Sequence, residues 1–242
     1  MPVTRLSIAQ LTGQDESQLV TLPCGNQMLG EAAQAFACLA REASEAGFEL
    51  SIVSSFRSFE RQAAIWNGKA SGLRPLHDDD GVPLDWARLS TQQLLHAILR
   101  FSAAPGTSRH HWGTDIDVCN LAGVGTDYAV QLTPQEVAPG GVFDSLHRWL
   151  DQRMAADTSH GFFRPYAQDG GGVAVERWHL SYAPLSVTCA GQLSTELVGG
   201  CWEEFDGELC LRGELLAQLP EILQRYTAVA ENWCPARYRR AH

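Results

Sequence analysis

Residues 108–120, SRHHWGTDIDVCN, place two adjacent histidines, a glycine and two aspartates within one short run. Imidazole nitrogens and carboxylate oxygens are what a catalytic zinc ion takes as ligands, typically three from the protein with a fourth position left for water. His110 and Asp117 can supply two of them. A third has to come from elsewhere, and ERWHLSY, 176–182, offers His179 with Glu176 three residues before it. Glu176 need not bind metal, because a carboxylate beside a metal ion can take a proton from water and later pass it to a leaving amine. Any one of these residues alone reads more simply as a packed or surface side chain. The combination points to metal-dependent hydrolysis.

A further candidate is Arg57, at the end of SIVSSFR. A planar guanidinium holds a terminal carboxylate through two parallel hydrogen bonds, which suits an enzyme that removes a C-terminal residue. The alternative is an ion pair, with Glu60 or Asp117. Two other features carry less. HDDDG, 77–81, lacks the alternating carboxylates and distal glutamate of a calcium loop and reads as a solvated turn. Cys119, two residues after Asp117, would share its strand face and is a soft-ligand alternative; a buried thiol is the simpler reading.

These side chains must be positioned by elements that the hydrophobic spacing outlines. Residues 27–46 carry apolar side chains at helical intervals up to Gly47, and 48–58 alternate as a strand that ends at Arg57. A short helix follows at 59–69 and a loop at 70–85. Ser90 and Gln93 form a capping box for a helix to about Ser102. TDIDV, 114–118, alternates as a strand with Ile116 and Val118 on one face and Asp115 and Asp117 on the other, and Gly113 allows the turn before it. Residues 142–155 read as a helix, and 161–182 as a β-hairpin turning near DGGG and returning along VAVERWHLSY. The tail shows a helical pattern over 213–233, interrupted at Pro220. In a regular strand positions 176 and 179 face opposite sides, so the chain must bend between them, or Glu176 must sit at the strand's start, if both serve one site.

SRHHWGTDID resembles the SxHxxGxxxD motif, and ERWH the ExxH motif, of the zinc D,D- and L,D-carboxypeptidases of the VanY and VanX type. SSFRSFERQ resembles the same family's S-x-x-R-S-x-x-x-Q segment. The three motifs run in the family's order between residues 54 and 182. The resemblance implies zinc held by His110, Asp117 and His179, with Glu176 as catalytic base. It implies that Arg57 holds the substrate's carboxylate or the developing oxyanion, and that Gln62 and Ser108 help position the peptide. One departure stands out: the family usually has a small alanine where this chain has Asp115. A second carboxylate then either approaches the metal or sits at an exposed strand start.

The bounds agree with this reading. A chain of 242 residues with 45% hydrophobic and 19% charged side chains suits one globular unit, 1–242, with a motif-bearing core at about 27–188 and a helical extension at about 189–242. A net charge of −10 argues against a nucleic-acid partner. The first twenty residues have no apolar run of the signal-peptide kind and no later run is long enough for a membrane span, so the chain reads as cytoplasmic, with no membrane partner. Seven cysteines, with no CxxC and no framework spacing, read as reduced. The expected fold is α+β: a small antiparallel sheet carrying the zinc site, flanked by helices. The expected function is zinc-dependent hydrolysis of the C-terminal D-alanyl-D-alanine bond of short peptidoglycan-derived peptides. The alternatives are L,D-carboxypeptidase or endopeptidase action on muropeptides, or a zinc-stabilised module that binds such fragments without cutting them; a binder has no need of Glu176.

Overall fold

The N-terminal segment forms one helical turn, α1 (Ile8–Leu11), capped by a Ser7/Gln10 box, and a pair of strands, β1 (Leu19–Thr21) and β2 (Gln27–Leu29). The structure, a computed structural model, describes residues 5–125, 127–229 and 235–238. Helix α2 (Gly30–Glu45) buries Ala32, Ala33, Leu39 and Ala43, as the apolar spacing requires. It begins three residues later than that spacing suggested, because 27–29 are committed to pairing with β1. Strand β3 (Leu50–Ser54) is shorter than the alternation over 48–58 and ends in an irregularity between Ile52 and Ser54. Helix α3 (Phe59–Ala70), started by the Ser58 side chain, buries Phe59, Gln62, Ala63 and Trp66.

The loop that follows contains a two-residue pairing, β4 (Leu76–His77) with β5 (Pro83–Leu84), around the acidic turn. Helix α4 (Thr91–Phe101) has the Ser90/Gln93 capping box and buries Leu94, Leu95, Ile98 and Leu99. Next come β6 (Asp115–Asn120), α5 (Pro134–Val137), α6 (Asp144–Ala155), β7 (Phe162–Phe163) and β8 (His179–Tyr182). The chain then continues as α7 (Ala183–Ala190), α8 (Thr195–Glu204), α9 (Arg212–Ala217) and α10 (Leu219–Ile222), which runs into a wider turn at Leu223–Thr227.

The α+β expectation holds. A four-stranded antiparallel sheet, ordered β3-β6-β8-β7, carries the motif residues. The hairpin expected over 161–182 needs correcting: β7 does pair with β8, Phe162 against Tyr182, but the returning strand begins only at His179. Residues 164–178 are an irregular crossing held by side chains. Arg164 and Arg177 both pair with Asp151, and Asp169 with Arg100, so polar contacts replace a ladder. The helical pattern over 213–233 is interrupted at Pro220 as expected: α9 ends at Ala217 and Pro220 lies in the first turn of α10, while residues 230–234 lie outside the described residues.

Two apolar clusters make up most of the core. One joins α2, α6 and the sheet through Met28, Leu39, Ile116, Val118, Leu150 and Leu180. The other joins α3 and α4 to α8, α9 and α10 through Trp66, Leu95, Ile98, Trp202 and Ile222. Trp202 Nε1 donates to Pro105 O at 2.6 Å, and Trp66 Nε1 to Cys210 O at 2.8 Å, so the C-terminal helices brace the segment that leads into the histidine motif. The described cysteines carry free thiols, and Cys234 lies outside the described residues. No helix among the described residues is long and apolar enough to cross a membrane.

Candidate metal centre and active site

The register of the sheet builds the centre of the site. Asp117 of β6 lies directly opposite His179 of β8, and cross-strand neighbours on one face are close enough to touch. Asp117 Oδ1 is 3.2 Å from His179 Nδ1. His110 arrives from outside the sheet, on a 3-10 turn over Arg109–Trp112 that Gly113 closes with φ of 67°. A side chain at 113 would have to adopt the left-handed region and would meet the Leu29 backbone nitrogen at 3.1 Å, where the 2.8 Å bond from Leu29 N–H to Gly113 O seats the turn. His110 Nδ1 faces Ser55 O at 2.9 Å, which leaves Nε2 3.3 Å from Asp117 Oδ2. One donor atom from each of His110, Asp117 and His179 lies within 4.8 Å of the others, and all three residues are buried.

The parity problem at Glu176 is solved by a turn. His179 N–H donates to Glu176 O at 3.1 Å, so 176–179 fold back on themselves before β8 begins. The Glu176 carboxylate thereby comes to the same side as the ligand set, Oε2 3.5 Å from His179 Nδ1.

Arg57 lies at the edge of this centre. Its N–H donates to His110 O at 3.2 Å, linking the two motifs through backbone. The guanidinium donates to Gln62 Oε1 at 2.8 Å and to Ser54 Oγ at 3.1 Å. Among the described residues it has no carboxylate within ion-pair distance, neither Glu60 nor Asp117. Burial lowers its pKa, although the charges of Asp117 and Glu176 oppose that shift. Gln62 is fully buried, its Nε2 bonded to Ala103 O, and its contact with the site runs through Arg57. Ser108 is buried at the entry of the 3-10 turn, where its carbonyl accepts from His111 N–H.

The neighbouring motif residues separate into distinct tasks. His111 is fully buried: Gly106 N–H donates to its Nε2, so Nδ1 carries the proton and donates to Arg57 O at 2.6 Å. Burial holds this imidazole neutral, its pKa down at about 3. Trp112 packs against Leu6 and Leu11, and Trp178 against Cys119, Val137 and Phe143. Burial pushes the Cys119 thiol up to about 11, and it does not join the ligand cluster. Asp115 is not at an exposed strand start. It is fully buried, and its Oδ1 receives His179 Nε2 at 3.0 Å, on the side of the ring away from Asp117.

Two residues that no motif marked also reach this region. The Tyr166 ring meets the His179 ring edge-on at 5.0 Å, and its carbonyl accepts from Glu176 N–H. Lys69 comes in from α3, two turns after Gln62, and its ammonium is 2.7 Å from Ser102 Oγ. Burial lowers its pKa to about 8 despite the attraction of Glu176. Both residues are placed by tertiary packing rather than by spacing along the chain. A cavity of about 740 Å³, lined by Phe101, Val137, Ala174, Val175 and Arg177, opens beside the two neighbours of Glu176.

The donor set asks for a cation. Burial would raise the Asp117 carboxyl, but the two imidazoles hold it far below the ordinary carboxylate range. Burial likewise would lower the His179 imidazole, yet the surrounding carboxylates of Asp115, Asp117 and Glu176 carry it well above its usual value. Asp117 Oδ1 is buried with no well-aligned hydrogen-bond donor, an arrangement that costs free energy unless a cation fills the place. His110 Nε2 and His179 Nδ1 thus approach opposite oxygens of the one carboxylate, Oδ2 at 3.3 Å and Oδ1 at 3.2 Å.

The chain is similar to several known proteins. Two Haemophilus influenzae proteins, described only as uncharacterized, are similar to this chain. One is 46% identical over 103 residues, covering 41% of this chain and 70% of its own. The other is 32% identical over 122 residues, covering 49% and 88%. Among solved structures, a VanY D,D-pentapeptidase in complex with Zn(II) aligns over 74% of this chain and 88% of its own, at 23% identity and a TM-score of 0.47. The LdcB LD-carboxypeptidase aligns over 69% and 68%, at 22% identity and a TM-score of 0.46. A sequence profile described as VanY, D-alanyl-D-alanine carboxypeptidase, matches residues 25–185, which include Arg57, His110, Asp117, Glu176 and His179, and the chain therefore belongs to the VanY family of carboxypeptidases.

Proposed function

We propose that this enzyme is a zinc-dependent D,D-carboxypeptidase that removes the terminal D-alanine from short peptidoglycan-derived peptides. The observation that carries the reading is the convergence of three buried metal donors with a carboxylate that is not one of them, Glu176 Oε2 lying 3.5 Å from the nearest ligand nitrogen. His110 Nε2, a carboxylate oxygen of Asp117 and His179 Nδ1 would hold the ion. Zinc in such a site supplies Lewis acidity toward the scissile carbonyl and lowers the pKa of water toward neutrality.

The chain's own groups supply the rest. Glu176 accepts the proton of the attacking water and returns it to the departing amine of D-alanine, so no covalent intermediate is required. Arg57, held by Gln62 and Ser54 and with no carboxylate in ion-pair distance among the described residues, is prepared to receive the substrate's terminal carboxylate. A binding-only module would have no use for a proton acceptor beside the metal, which favours hydrolysis.

Incubation of zinc-loaded protein with defined tri-, tetra- and pentapeptide muropeptides, followed by mass spectrometry, tests the specificity. The pentapeptide should lose one alanine and stop at the tetrapeptide. Trimming of the tetrapeptide with the pentapeptide left intact would assign L,D-specificity instead, and no cleavage of any of the three would remove the carboxypeptidase reading.

A further inference from the structure

The side of His179 that faces away from the ligand cluster is occupied by a closed set of charged groups. Asp115 lies two residues before Asp117 on the same face of β6, opposite Ser181, and so diagonal to His179 across the sheet. The imidazole of His179 is thereby gripped between two carboxylates. Nδ1 is directed at Asp117, and Nε2 lies 3.0 Å from Asp115 Oδ1. Asp115 Oδ1 also accepts from Arg109 Nε at 2.8 Å, and Oδ2 accepts from Thr114 Oγ1 at 2.6 Å. Arg109 continues the chain of bonds to Ser181 Oγ at 2.7 Å, which in turn bonds Ser186 Oγ at 2.8 Å, and the guanidinium lies 4.7 Å from the centre of the Trp112 ring. Both charged side chains are essentially inaccessible, 2% and 0% exposed.

A buried ion pair costs free energy to desolvate and is seldom retained for stability alone. Here Arg109 Nε and Nη2 and both Asp115 oxygens are engaged, and one of those oxygens is shared with an imidazole. An ionised carboxylate accepts and cannot donate, so the nitrogen facing Asp115 must carry the proton and the lone pair of a neutral ring must lie on Nδ1. His110 obtains the same fixing from a backbone carbonyl, Ser55 O. The two imidazoles are therefore held by different means, one by main chain and one by an ion pair.

We infer that the Asp115–Arg109 pair is a positioning device, which fixes the tautomer and ring orientation of His179 so that Nδ1 meets the metal. Arg109 neutralises the carboxylate, so the pair directs the ring without adding net charge to the site. The inference rests on the zinc-peptidase reading above, and it gives a task to the fully buried carboxylate of Asp115.

The test measures zinc affinity by competition with a chromophoric chelator, together with the metal-free melting temperature. It uses wild-type protein, Asp115→Asn, and the double variant Arg109→Met/Asp115→Leu, which removes the pair without orphaning a charge. Both variants should bind zinc about 10- to 100-fold more weakly, the range found when an orienting partner of a metal-bound imidazole is lost. Long-range ¹⁵N NMR of zinc-loaded wild-type protein needs no variant, and should show the His179 proton on Nε2. A zinc dissociation constant for either folded variant within twofold of wild type, or a proton on Nδ1, overturns the positioning role while leaving the zinc-peptidase reading intact. A wild-type protein that takes up no zinc overturns both.

Discussion

At the scale of single residues, the site sets buried cations and carboxylates against each other, and Arg57 is the member with an unfilled partner. Its guanidinium is held by two neutral acceptors and is partly desolvated, so its charge contributes little to folding in the absence of substrate. Hydrogen bonds to charged groups are worth about 1.5–3 kcal/mol, so Arg57→Ala should lower kcat/KM by about 10- to 10²-fold. The melting temperature should move by no more than a few degrees. Steady-state kinetics and a thermal melt on one preparation check this, and an unchanged kcat/KM with a sharply lowered melting temperature would make Arg57 structural. The residues that bear chemistry were legible because their types are uncommon together and their order along the chain is informative. The partner of Asp115 was not. Strand parity put Asp115 beside Asp117, but only the β6–β8 register decides that it meets the far nitrogen of His179 rather than solvent or metal.

At the scale of elements, α3 delivers Gln62 to Arg57 and, two turns later, Lys69 to Ser102. Lys69 has no carboxylate within ion-pair distance among the described residues, and its burial lowers its pKa from 10.5 to about 8. Between those two values the unfolded chain binds the additional proton, so stability should rise with pH across the window from about 8 to 10.5. Lys69→Met should abolish that rise and stabilise the protein at pH 7 by on the order of 1–3 kcal/mol. Denaturant melts of both proteins at pH 7 and pH 10 would show it, and a variant less stable than wild type at pH 7 would contradict it. Helices α3, α4 and α6 were readable from apolar spacing and caps, since those signals are local. The irregular crossing at 164–178 was not, because alternating residues in VAVERWH imitate a strand while the chain is held by pairing of Arg164 and Arg177 with Asp151 and of Asp169 with Arg100. The same crossing allows Glu176 to turn back beside His179, which a regular strand would forbid.

At the scale of the whole molecule, the sheet that bears Asp117 and His179 packs in one apolar cluster, and the C-terminal helices complete a second with α3 and α4. Trp202 is fully buried there and bonds Pro105 O, so Trp202→Ala should destabilise the fold by about 3–5 kcal/mol, measurable by urea unfolding. A loss below 1 kcal/mol would show that this helical half folds independently of that contact. The role of the C-terminal region was closed to sequence reading, since its helices carry no chemical motif and their value lies in what they cover. Hydrolysis in this site requires Glu176 to be a proton acceptor and not a ligand. Single-turnover hydrolysis of a D-alanyl-D-alanine pentapeptide, with zinc content measured on the same samples, compares wild-type protein with Glu176→Gln most directly. The variant should keep one zinc per chain and lose about 10²- to 10⁴-fold in rate, the contribution typical of general base catalysis. Release of the metal would make Glu176 a ligand, and an undiminished rate would exclude it as the base.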